Sequence, residues 1–96
     1  MSSQPSTVEV TVGDVTSPRE LHERLAAALR FPDYYGHNWD AVSEVVAEED
    51  VLPPRLVLRG WSDFQRALPR DAALLLVCMA DYADAHPDRP CDTILT

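Results

Sequence analysis

The sequence predicts an α/β domain with a three-stranded parallel sheet and helices packed on both of its faces, a three-layer α/β/α arrangement. Strand-like and helix-like apolar periods alternate along the chain in the order strand, helices, strand, helices, strand. No tight-hairpin signal joins any two strands, so each connection should be a right-handed crossover, and neighbouring strands should run parallel. Ninety-six residues suffice for one modest core and not for two.

Residues 1–7 are polar and lack both the basic and the apolar part of a signal peptide, so they read as a frayed tail ahead of one domain spanning residues 8–96. In "VEVTV", residues 8–12, three valines alternate with Glu9 and Thr11, the period of a strand with one buried face. "SPRELHERLAAALR" follows. Ser17 can cap a helix, Pro18 suits its first position, and Glu20 completes a capping box three residues after the cap. Leu21, Leu25, Ala28 and Leu29 make its apolar stripe, which leaves His22 on the surface, and Phe31-Pro32 ends it.

Residues 39–48 place Val42, Val45 and Val46 on one helical face and Asp40, Glu44 and Glu48 on another. Pro53-Pro54 then separates this helix from "RLVLRG", whose apolar centre suits a strand covered on both faces. "WSDFQRAL" spans two helical turns, with Trp61, Phe64 and Leu68 inward and Pro69 as the stop. Asp71 can cap a last helix over residues 72–85, apolar nearly all round at its start and therefore expected at the centre of the fold, with His86 at its end. "CDTILT" reads as a short terminal strand.

Charge narrows the function. Sixteen acids face eight arginines and no lysine, for a formal net charge of -8. Such a surface repels nucleic acid and anionic membrane and attracts basic partners. The longest apolar run, residues 72–80, is about half of the roughly 20 residues that a membrane helix needs, so a cytoplasmic protein is expected. Cys78 and Cys91 sit among apolar neighbours without metal-ligand spacing and read as two buried, reduced thiols.

The charge is also sorted. Residues 31–54 hold six acids and no arginine. Asp40/Glu44 and Glu44/Glu48 are like-charge pairs at i, i+4, each destabilising a helix by roughly 0.2–0.5 kcal/mol. Asp40 recovers part of that at the positive end of the helix dipole. Solvated acids are the ordinary explanation of such a stripe, but here it abuts "YYGHNWD", residues 34–40, and four of the seven aromatics lie between residues 31 and 39. Tyrosine and tryptophan are common interface anchors, while Gly36 and Asn38 suit a tight loop. An aromatic loop beside an acidic stripe is a surface for a basic, concave partner.

"FPDYYGHNWDAVSEVV", residues 31–46, resembles the signature of barstar-type ribonuclease inhibitors, and the order of elements around it, down to "CDTILT", is similar over residues 8–96. That resemblance implies a non-enzymatic cytoplasmic inhibitor, monomeric when free and without cofactor. It would plug the active site of a guanyl-specific microbial ribonuclease in a 1:1 complex and so protect the producing cell. It places Tyr34 and Asn38 at the binding surface, sets Asp40 against basic groups around the nuclease pocket, and sends Glu44 into the pocket as a phosphate mimic. Gly36, His37, Trp39 and Ser43 belong to the same expected surface, with Asp84 as the contributing acid of the last helix. Two positions depart from the family pattern, which usually has Asp at the place of Glu44 and often an aromatic at that of Ser43.

Two other readings stand beside this one. His37, Asp40 and Glu44 are metal-ligand types, but three near neighbours from a single turn rarely close a site and no second histidine is placed to help. An acidic interaction domain with a basic, non-nuclease partner would show the same charge pattern.

Overall fold

The computed structural model describes residues 6–32, 38–48 and 51–96. Tyr34, Gly36 and His37 of the expected surface lie outside those residues, as do Glu49 and Asp50. The chain runs β1 (Thr7–Thr11), α1 (Pro18–Leu29), α2 (Trp39–Glu48), β2 (Arg55–Arg59), α3 (Trp61–Ala67), α4 (Pro69–Ala85) and β3 (Asp92–Leu95). The three strands form one parallel sheet in sequence order, with β2 in the centre.

Register explains which strand residues meet the core. Val8 pairs with Leu56 and Val10 with Leu58, and all four are buried. The alternate residues Thr7, Glu9, Thr11, Arg55, Arg59 and Asp92 are exposed, and Val57 and Ile94 are half-buried. The α/β class and the parallel sheet are as predicted, but the cover is unequal. The helices share one core with Val8, Val10, Leu56 and Leu58, whereas the opposite face carries the exposed Arg59–Glu9 ion pair at 2.7 Å. The apolar run of β2 is flanked by Arg55 and Arg59, which share the face of Val57 and keep that side wet.

The first helix begins much as its sequence dictates. Ser17 Oγ accepts from the Glu20 N–H at 3.2 Å. Glu20 Oε1 accepts from the N–H of Thr16, one residue upstream of the cap, rather than from the cap itself. The helix closes at Leu29. Arg30 takes a left-handed conformation (φ 58°), and the Phe31 N–H reaches back to the Ala26 carbonyl at 2.9 Å. His22 is buried, at 3% exposure, contrary to its expected surface place. The indole of Trp39 covers it.

In the second half, α4 starts three residues earlier than the sequence suggested. Pro69, read as a stop for α3, is also at the first helical position of α4, where its missing N–H is no loss. Asp71 therefore lies inside the first turn and does not cap. Nor is α4 the central, fully buried helix: Ala72, Leu75, Cys78 and Tyr82 are buried, while Leu76 and Val77 are exposed. It packs against both α2 and α3. Of the two thiols, Cys78 is buried, but Cys91, just ahead of the edge strand β3, is only half-buried. Both are free. Among the described residues no helix is long and apolar enough to cross a membrane.

The sheet's carboxyl end is tied by a close backbone contact. Gly60, which follows β2, sits at φ 78°, and a Cβ there would lie 2.6 Å from the Gly13 Cα. The Gly60 and Trp61 N–H groups both donate to the Thr96 carbonyl, at 3.1 and 3.0 Å, and so join β3's end to the start of α3. Gly60→Ala meets both a positive φ and a backbone clash, and should destabilise the protein by about 1–3 kcal/mol in urea unfolding. Gly13→Ala, whose Cβ would stand 3.1 Å from the Gly60 Cα at no positive φ, should cost less.

Candidate functional site

The acidic stripe occupies the outer face of α2. Val42, Val45 and Val46 are buried against the core, and Asp40, Ser43, Glu44 and Glu48 are exposed. Among the described residues no ion pair involves Asp40, Glu44 or Glu48; the pairs that form are made by Arg19, Arg24, Arg59 and Arg66 on other elements. The fold thus neutralises acids elsewhere and leaves these three to solvent.

Two contacts hold the start of α2. Asn38 caps it, its Oδ1 accepting from the Ala41 N–H at 2.8 Å while its own carbonyl accepts from Val42 at 3.0 Å. Asn38 is exposed, so it can cap and still meet a partner. Trp39 is half-buried. Its indole N–H donates to Asp71 Oδ1 on α4 at 3.0 Å, and its ring stands edge-on to the buried imidazole of His22 on α1, with centroids 4.7 Å apart. One side chain therefore links three helices. Trp39, half-buried, braces the start of α2 with its indole N–H already paired.

Beside α2 lies a groove against α4, bordered by Ser43 and Ala47 on one wall and Cys78, Asp81 and Ala85 on the other. Asp81 is the α4 acid that lines it. Asp84, the acid assigned from the sequence, is exposed on the same helix but is not part of the groove. The signal for Asp81 is helical spacing: Cys78, Asp81, Tyr82 and Ala85 fall at i, i+3, i+4 and i+7, on one face. Across the groove Ser43 Oγ and Cys78 Sγ are 3.7 Å apart. Burial pushes the Cys78 thiol above its usual range, the Ser43 contact opposes that, and the nearby Asp81 charge adds to it.

These placements give two tests. Asp71→Ala removes the acceptor of a half-buried indole and should lower stability by about 1–2 kcal/mol, measured by denaturant unfolding. Cys78, held protonated by the fold, should react slowly with iodoacetamide in the native state and faster only as the pH passes its usual range, whereas the half-buried Cys91 should react first. The unfolded chain loses the Cys78 proton at lower pH than the native chain does. Its contribution to stability is therefore complete below the ordinary thiol pKa and is lost as pH rises through the raised native value.

A search among curated proteins finds no matching relative. The family model described as barstar (barnase inhibitor) matches residues 6–95, from the start of the first strand to the end of the last. With nearly its whole length covered, the chain belongs to the barstar (barnase inhibitor) family.

Proposed function

We propose that the protein is a cytoplasmic inhibitor of a guanyl-specific, secreted-type microbial ribonuclease, binding it 1:1 and shielding the producing cell. The observation that carries this reading, beside the family, is the row of solvent-facing carboxylates, without an ion pair among the described residues, on a helix whose other face is locked into the core. A ribonuclease must stabilise phosphate charge with cationic side chains. Carboxylates held at fixed spacing on a braced helix present that site with negative charge it is built to accept, and with no bond to cleave.

In this reading Glu44 enters the nuclease pocket and Asp40 meets the basic groups around it. Asn38 and Tyr34 border the contact, together with Gly36 and His37, and Glu48 steers the approach. Mixing the protein with a panel of secreted guanyl-specific ribonucleases and following RNA cleavage tests the reading. Stoichiometric inhibition of at least one member is expected. No inhibition at micromolar concentration by folded protein would overturn it in favour of an acidic domain with a different basic partner.

Removing a desolvated charge from among cations leaves those cations unpaired, so Glu44→Gln should weaken the complex by about 2–5 kcal/mol, mainly by faster dissociation. Glu48→Gln should slow association at low salt and leave dissociation nearly unchanged, because an exposed rim charge acts over distance and is screened. Stopped-flow rates at two salt concentrations separate the two behaviours. Neither substitution should lower folding stability, since each removes a like-charged i, i+4 neighbour.

A further inference from the structure

The sequence makes α4 apolar nearly all round at its start, and the fold covers only one side of it. Ala72, Leu75, Cys78 and Tyr82 turn inward to the core. On the outward side Ala73, Leu76, Val77 and Ala80 follow at i, i+3, i+4 and i+7 and form one face, and all four are exposed. Leu76 is 37% and Val77 55% exposed; with Leu95 on β3 they are the exposed large apolar side chains among the described residues. A helix that is apolar on every side is normally buried on every side, so this face lacks the cover that its composition calls for.

The order of residues along the face selects that cover. Arg70, Val77 and Asp84 stand at i, i+7 and i+14, all exposed, with Ala73 and Ala80 in the turns between them. In size the row reads alike from either end: a small alanine lies three residues to each side of the Leu76–Val77 pair, and a charged residue closes each end. In charge the ends are opposite, and neither Arg70 nor Asp84 makes an ion pair among the described residues. A two-fold axis through the Leu76–Val77 pair sets the α4 of a second copy antiparallel to the first. It lays Ala73 against Ala80 of the other copy, the Leu76–Val77 pair against its counterpart, and Arg70 against Asp84 twice. Alanines at positions 73 and 80 let the two helices come near the lower end of the roughly 8–10 Å spacing of packed helices. An unrelated partner would need neither the symmetry of size nor the opposition of charge.

We propose that the outward face of α4 is a self-association surface, through which two copies of this chain pair about a two-fold axis with their α4 helices antiparallel. This departs from the free monomer that the family resemblance implies, and it does not depend on the ribonuclease-inhibitor reading. Size sets the strength. The 17 residues of α4 span about 25 Å, and one helix pair buries less than the roughly 800 Å² per partner of a standard interface, so the dimer is weak and forms in the upper micromolar range. General repulsion between two chains of net charge -8 opposes it, and salt screens that repulsion. The two Arg70–Asp84 contacts, exposed and individually weak, fix the direction of pairing more than its strength.

Sedimentation equilibrium of the full chain alone, at about 0.15 M salt and up to about 500 μM protein, tests this. The wild type should pass from monomer to dimer within that range, and Val77→Asp, at an exposed position, should stay monomeric. Thermal unfolding of each variant establishes that it is folded. Arg70→Asp sets an aspartate against Asp84 at both ends and should weaken the dimer about fivefold. Adding Asp84→Arg to it should restore the wild-type association. Adding Glu23→Arg on α1 instead gives the same net charge and should leave the dimer weak. A wild type that is monomeric throughout the range would overturn the proposal, as would Val77→Asp that associates as tightly as the wild type. Recovery in both double variants, or in neither, would overturn the antiparallel pairing. No ribonuclease enters the test, so its failure would leave the inhibitor reading untouched.

Discussion

Three carboxylates on successive turns of a ten-residue helix repel one another, and a helix that short has little stability of its own. α2 must therefore be held from outside, and the rest of the structure is arranged to do so. Val42, Val45 and Val46 bury its inner face, Asn38 satisfies an N–H at its first turn, and the Trp39 indole ties that turn to α1 through His22 and to α4 through Asp71. α4 is the main platform for this helix, and α1 is reached through Trp39. The stability that the like charges withdraw is returned by apolar burial and one tryptophan, which leaves the outer face free to serve a partner.

Rigidity has a functional consequence. Binding costs conformational entropy whenever side chains or helices must be ordered on contact. A helix braced at its N-terminus and packed along its length presents its acids at fixed spacing before the partner arrives. In the proposed function, exposed acids at a net charge of -8 also draw a basic partner from a distance, so one surface would serve both the approach and the fit.

Local rules were legible in the sequence wherever the determinants were local. The Ser17 cap of α1, the bounds of α2 at residues 39–48 and the parallel strand order follow from caps, periods and the absence of hairpin turns. What escaped depends on tertiary partners. His22 is buried because Trp39, 17 positions along the chain, covers it, and no period in α1 announces that. Asp71 reads as a cap because Pro69 fits equally as an end and as a first helical residue; its partner in the fold is an indole 32 residues away. Asp84 and Asp81 are equivalent as sequence, and only the packing of α4 on α2 puts Asp81 in the groove. The apolar run of β2 suggests cover on both faces, but Arg55 and Arg59 at its ends outweigh that run and keep one face wet.

The central claim is that α2 and the groove beside it form the contact surface. Amide hydrogen exchange of the protein, alone and saturated with a ribonuclease that it inhibits, tests this most directly. The account predicts added protection across residues 38–48 and along the groove-facing part of α4, with β1 and α1 unchanged. Protection confined to β1, α1 and the open face of the sheet, with none in α2, would contradict it.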